Sequence, residues 1–313
     1  MPAPIGRDVV HRAPANPLII IEDLPFQASD VHNAGVVRDH AGYTLLVTIE
    51  SLEGQCSIYR ADSRDGRSFA VEPEPFMQPC PDPPFRDCEC VGVRDARITR
   101  LDDTCYVAYL AECEHGHRVG LARTDDFRSV QRLGFVTEPD TKNGALFPER
   151  IRGRYAMLIR PDNPYSIWIV YSDDLVYWGD ANVLMMPRSG YWDSHRIGAG
   201  PPPIPIDEGW LLIYYGERAT TAGPLFRLGA AILDREDPSK IVARSNIPIL
   251  APRETYERIG DVPNLLFCCG ALLEDDDTLR IYYGGSDSCI CLGTAPLHHV
   301  IEVCREGDKE IQP

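Results

Sequence analysis

The chain has 313 residues, about twice the usual domain length, so length alone allows two domains or one large unit. Its 47 acidic and 31 basic side chains give a formal net charge of −16, which argues against non-specific binding to nucleic acid or an anionic membrane, since both need a cationic face. No apolar run approaches the roughly 18–20 residues that span a bilayer, and 25 glycines with 27 prolines suit a chain of many turns.

The first residues, MPAPIGRDVVHRAPANPLIIIED, lack the charged, apolar and small-residue regions of a secretory signal, so a cytoplasmic protein is expected. Beyond them, paired strand-like runs recur five times. They are 43–50 with 56–69, 104–111 with 118–130, 154–161 with 166–178, 209–216 with 226–238, and 278–285 with 289–297. Three copies share a polar turn after the second run: SRDGRSF at 63–69, TDDFRSV at 124–130 and SDDLVYW at 172–178. Runs rich in Val, Ile, Tyr and Leu, with no long 3.6-residue period, mean β structure. Five repeats of hairpin-containing units predict an all-β, five-bladed β-propeller over residues 1–313. About fifteen residues at each end are read as peripheral extensions. A pair of β-sandwich domains is the competing fold, but no linker composition marks a boundary. The eleven cysteines are odd in number and several are near neighbours, which suits free thiols in a reduced compartment. A metal site from Cys80, Cys88 and Cys90 lacks a second CxxC or a suitably spaced His pair, so no metal is expected.

A propeller gathers its chemistry where the inner strands of successive blades meet. The polar segments entering the repeats are GVRDARIT at 92–99, KNGALFPERIRGRYAMLIRPDNP at 142–164, HRIGAGPPPIPIDEG at 195–209, and GDVPNLLFCCGALL at 260–273 with YYGGSDS at 282–288. These supply Asp95, Lys142, Arg160, Arg196 and Asp287. The longest of these stretches, together with LGAAILDREDPSKIVARS at 228–245, resemble glycoside hydrolase family 130, the inverting β-mannoside phosphorylases and related β-mannosidases. The resemblance runs from about residue 33 to residue 295. It implies a five-bladed propeller that splits a β-mannoside with inorganic phosphate as co-substrate and no further cofactor. The products would be α-mannose 1-phosphate and a shortened sugar.

Residue by residue, the resemblance implies that Asp95 is the general acid, with its proton relayed through a hydroxyl of the mannosyl unit. Lys142, Arg160 and Arg196 match basic positions that hold phosphate, with Tyr215 at a position that is usually His. Asp287 matches a carboxylate that binds the transferred mannosyl group, and Asn33 and Asn143 are placed with it on the substrate. Trp192, in a Gly-Tyr-Trp-Asp loop, is the candidate sugar-stacking platform. The partners implied are a mannose-containing oligosaccharide and phosphate; homo-oligomers are common in the family. Charge logic agrees: an inverting hydrolase needs an acid and a base, whereas a phosphorylase needs one acid and cations that hold its anionic nucleophile.

Four positions depart from the family pattern: Arg94 stands for Glu, Ala96 for Pro, Tyr215 for His and Thr48 for Arg. Neighbouring strand residues face opposite sides, so Arg94 need not touch the substrate. Each candidate also has a structural reading. Asp95 could pair with Arg97, Lys142 could be a solvated loop lysine, Arg160 and Arg196 could bridge blades, and Asp287 could cap a turn. Two other functions stay open: a β-mannosidase using water, and a sugar-binding propeller without catalysis.

Overall fold

A computed structural model describes residues 8–309. The N-terminal β1 (His11–Arg12) is followed by β2 (Asp30–Asp39), β3 (Gly42–Glu50), β4 (Cys56–Ser63) and β5 (Ala70–Met77), the last four forming an antiparallel sheet in sequence order. The second sheet is β6 (Gly92–Leu101), β7 (Thr104–Cys113), β8 (Gly116–Thr124) and β9 (Gln131–Phe135), tied to the first by one parallel bridge from Cys56 to Gly92. The third is β10 (Thr141–Leu146), β11 (Tyr155–Pro161), β12 (Ile167–Ser172) and β13 (Trp178–Met185). In the fourth, β14 (Arg196–Ala199) and β15 (Ile204–Ile206) both pair with β16 (Gly209–Thr220), followed by β17 (Gly223–Leu233) and β18 (Ile241–Arg244). The last holds β19 (Leu266–Leu273), β20 (Thr278–Gly285) and β21 (Cys289–Pro296), with β1 added on its far edge.

The core follows this order. Five apolar clusters each join one sheet to the next, and the fifth joins the last sheet to the first through Ile19, Val31, Leu45, Tyr282 and Ile290. Each sheet is thus covered on both faces. That is why runs such as TLLVTI in β3 and WLLIYY in β16 are apolar without alternation. One strand of each sheet packs beside its counterpart in a neighbouring sheet: β2 touches β19 and β6, and β10 touches β6 and β14.

The shared turns are real and alike. Ser63, Thr124 and Ser172 accept a backbone N–H three residues on, at 2.9–3.0 Å. Asp65, Asp126 and Asp174 each accept two more backbone N–H groups, which hold all three carboxyls below the usual range. The repeat starts near 43, 104, 154, 209 and 278 fall on β3, β7, β11, β16 and β20, each preceded in its sheet by a strand the repeat did not reveal. One expectation needs correction. The chain ends are not peripheral within the described residues: Val9 and Val10 are core, β1 completes a sheet, and Val300, Ile301, Val303 and Cys304 of α1 (Leu297–Lys309) join the same cluster. Residues 1–7 and 310–313 lie outside the described residues.

Candidate active site

All five sheets contribute side chains to one cleft of about 350 Å³. Asn33, Asp95, Lys142, Asn143, Arg160, Arg196, Tyr215 and Asp287 all line it. The inner strands aim them by the same device. Pairing register jumps between His32 and Ala34 in β2, between Arg94 and Arg97 in β6, and between Lys142 and Ala145 in β10. Asn33, Asp95 and Asn143 sit in these bulges at φ of 46°, 58° and 57°. Left-handed backbone favours Asn and Asp among residues with a side chain, and a bulge redirects what it carries. Ser286 and Asp287 reach the same conformation in the turn after β20.

Asp95 is held on several sides. Asn33 Nδ2 donates to its Oδ1 at 2.8 Å, and its own backbone N–H donates to Thr48 Oγ1 at 3.0 Å. Arg97 does not pair with the carboxylate; its Nη1 donates to the Asp95 carbonyl at 3.0 Å, and its Nε to the Gly200 carbonyl at 2.7 Å. Burial pushes the Asp95 carboxyl up, but Arg97, Arg94 and the Asn33 hydrogen bond outweigh it and hold the group below its ordinary value. Asp287 goes the other way. Burial and then the Asp95 charge push it up to about 7, and its Oδ1 is buried without a partner. Two carboxyls driven apart in this way suit different tasks.

The cationic side of the cleft is built around Asn143. Its Oδ1 accepts from Arg160 Nε at 3.1 Å and from Tyr215 OH at 3.3 Å. Arg160 pairs with Asp162 at 2.6 Å and Arg196 with Glu217 at 2.8 Å, and both guanidinium groups lie over the Tyr165 ring. Burial, then Arg94 and Arg160, lower the Lys142 ammonium below its ordinary value. Glycine is required beside this group: a Cβ on Gly198 would come within 2.4 Å of the Tyr215 ring and 2.6 Å of Asn143 Oδ1.

A protein-family model described as beta-1,4-mannooligosaccharide phosphorylase matches residues 24–306. The chain belongs to glycoside hydrolase family 130. It is 36% identical over 250 residues to a beta-1,2-mannobiose phosphorylase of Listeria innocua, covering 78% of this chain and 68% of that protein. It is 39% identical over 235 residues to a 1,2-beta-oligomannan phosphorylase of a Thermoanaerobacter species, covering 74% and 75%. Among solved structures, the Listeria innocua beta-1,2-mannobiose phosphorylase in complex with beta-1,2-mannobiose superimposes with a TM-score of 0.86 at 29% identity, over 95% of this chain and 99% of that one.

Two placements in this family 130 chain differ from expectation. Trp192 is not a sugar platform. It is 7% exposed, stacks on Tyr214 at 5.5 Å, and fills the space over Gly216 and Gly229 in the seam between the third and fourth sheets. Its loop is fixed by Asp193, which pairs with Arg188 and Arg244. Arg94 is not turned away from Asp95. The bulge breaks strand alternation, so both line the cleft, and Arg94 Nη2 meets Glu112 Oε2 at 2.6 Å. Sequence reasoning also missed His32, which burial lowers to about 4 and so keeps neutral, and Asp261, Phe226 and Phe267 in the lining. The neighbour of a bulged Asn was the available signal for His32. Among the described residues, no group of His, Cys, Asp and Glu is placed to hold a metal ion, and no helix is long and apolar enough to cross a membrane. The cysteines from Cys56 to Cys291 are free thiols.

Proposed function

We propose that this chain is an inverting β-mannoside phosphorylase whose five sheets are the blades of a single propeller. The cyclic order of the five apolar seams supports the propeller. The observation that carries the activity is the convergence of Lys142, Arg160, Arg196, Asn143 and Tyr215 beside Asp95 in one cleft. Against a net charge of −16, that cluster is a local exception suited to an anionic nucleophile.

In the forward reaction a phosphate oxygen bonds to the anomeric carbon as the glycosidic C–O bond breaks. The bonding pair leaves on the glycosidic oxygen, which takes a proton originating on Asp95, relayed through a mannosyl hydroxyl. Phosphate brings its own charge, so no carboxylate base is needed to activate it. The cations hold it in line, which removes much of the entropic cost of the encounter. Asn33 and Asp287 hold the mannosyl hydroxyls; the unpartnered Asp287 Oδ1 is an acceptor or, protonated, a donor for one of them. Free thiols fit a reduced, cytoplasmic setting.

The test is product analysis with and without phosphate, starting with β-1,2-mannobiose because two relatives are named for β-1,2-linked substrates. The expected products are mannose 1-phosphate and mannose in equal amounts, formed only when phosphate is present. Release of free mannose alone, at the same rate in both conditions, would make the protein a mannosidase.

A further inference from the structure

His32 stands in the cleft wall with a ring nitrogen that nothing bonds. It is 5% exposed and lines the cleft, and its Nδ1 is buried without a hydrogen-bond partner. Burying a polar group unpaired costs free energy, so an unpaired one in a folded chain calls for a reason. A histidine that only fills space is expected to tie its nitrogens to the backbone or to a neighbouring side chain. The Asn33 amide next to it donates to Asp95 instead, at 2.8 Å.

The sheet sets which way His32 faces. It pairs with Thr48 across β2 and β3, and residues directly opposed in an antiparallel pair carry their side chains on one face. Thr48 Oγ1 accepts the Asp95 backbone N–H at 3.0 Å, so His32 lies on the face that meets Asp95. Burial keeps its ring neutral; of the charges acting on it, Asp95 is the largest, then Arg94 and Asp261. All three line the same cleft. A neutral imidazole carries one donor and one acceptor, the complement of a hydroxyl group, which also donates and accepts.

We propose that His32 is a further sugar-binding residue of this cleft, its imidazole hydrogen-bonding one hydroxyl of the bound mannoside beside Asp95 and so helping to set which mannosides are accepted. A site that pairs a buried polar group with a substrate hydroxyl rejects an analogue lacking that hydroxyl, because the group is then left unpaired. The proposal rests on the phosphorylase reading and adds to it one specificity contact on a neutral sugar.

The test takes the β-mannobiose that the enzyme splits fastest, together with analogues of it that each lack one hydroxyl. Turnover is measured for wild type, His32→Phe and His32→Gln. Phe keeps a ring in the same space and removes both nitrogens, whereas Gln keeps a donor and an acceptor. His32→Phe should lower kcat/KM for mannobiose about tenfold, the scale of one hydrogen bond, while the KM for phosphate moves far less. That loss should vanish for the one analogue that lacks the hydroxyl His32 holds, and His32→Gln should recover part of it. An equal loss on every analogue, the mark of a structural role, would overturn the proposal and leave the phosphorylase reading standing. So would an unchanged kcat/KM, or a loss falling mainly on the KM for phosphate. Free mannose formed without phosphate would overturn the phosphorylase reading, and the pattern across the analogues would still decide the role of His32. No turnover of any β-mannobiose would overturn both.

Discussion

As the proposed general acid, Asp95 would meet two opposed demands: it would have to give up a proton, yet Arg97, Arg94 and Asn33 favour its ionised form. In the proposed reaction, a dianion bound in the neighbouring cation cluster would offset those fields, so the co-substrate would arm the acid. Asp95→Asn is expected to lower kcat by about 10²–10⁴-fold, the usual contribution of a general acid. Calorimetry should find mannoside binding within a few fold of wild type, because Asn33 still has an amide partner there. Asp287 makes a separate, signed prediction for stability. An unfolded Asp carboxyl titrates near 3.9, and the folded one near 7 because burial and Asp95 oppose its charge. The protonated form is the stable one. Its contribution is full below about pH 3.9 and is lost as pH rises through about 7. Asp287→Asn does not titrate, so its stability relative to wild type should grow across that window and then level off. Urea denaturation of both proteins at pH 4, 6 and 8 checks this; a constant difference would contradict it. Most of the polar lining of the cleft was legible at this scale, because Asp95, Lys142, Arg160, Arg196 and Asp287 lie in segments that resemble the family. Arg94 was misplaced because strand alternation was applied across a bulge. Trp192 was misplaced because an aromatic beside Gly in a polar loop reads the same whether it covers a sugar or fills a seam.

At the scale of elements, the second strands were readable and the first were not, for one physical reason. β3, β7, β11, β16 and β20 are buried on both faces and so are long apolar runs. The inner strands β2, β6 and β10 are interrupted by His32-Asn33, Arg94-Asp95 and Lys142-Asn143, where register jumps to aim polar groups at the cleft. The interruption that hides these strands is what creates the site. The inner strands also approach one another closely. A Cβ on Gly35 of β2 would lie 2.5 Å from the Ala96 carbonyl of β6, and one on Gly270 of β19 would lie 2.6 Å from the Ala34 carbonyl of β2. Gly35→Val must therefore push β2 and β6 away from each other, an overpacking cost of about 1–3 kcal/mol. Because β6 carries Asp95, denaturant melts and kcat should both suffer; loss of stability without loss of kcat would show that β6 is not positioned through β2.

On the whole-molecule scale, chain ends far apart in sequence complete one sheet. β1 pairs with β21, and Arg12 of β1 bonds through Nε to the fully buried Glu257 at 2.7 Å and also to Asp8. Burial raises the Glu257 carboxyl, but Arg12 and the backbone N–H groups of Arg253 and Glu254 bring it below its ordinary value. Arg12→Ala would strand that charge, at a cost of about 3–5 kcal/mol for an uncompensated buried partner. A stability change under about 1 kcal/mol in urea melts, the range of a surface ion pair, would mean that the N-terminal strand does not hold the sheet. This closure was not legible, since two residues of edge strand carry no periodicity and the first fifteen residues resemble a tail. The count of five repeats, by contrast, followed directly from the doubly buried strands, and the seams they form bring five polar segments to one cleft. What that cleft does is tested most directly by following β-1,2-mannobiose and phosphate with the enzyme by ³¹P and ¹H NMR. The expected first product is α-mannose 1-phosphate, matched by free mannose. A β-configured phosphate ester, or mannose appearing with no phosphate ester at all, would contradict inverting phosphorolysis at this site.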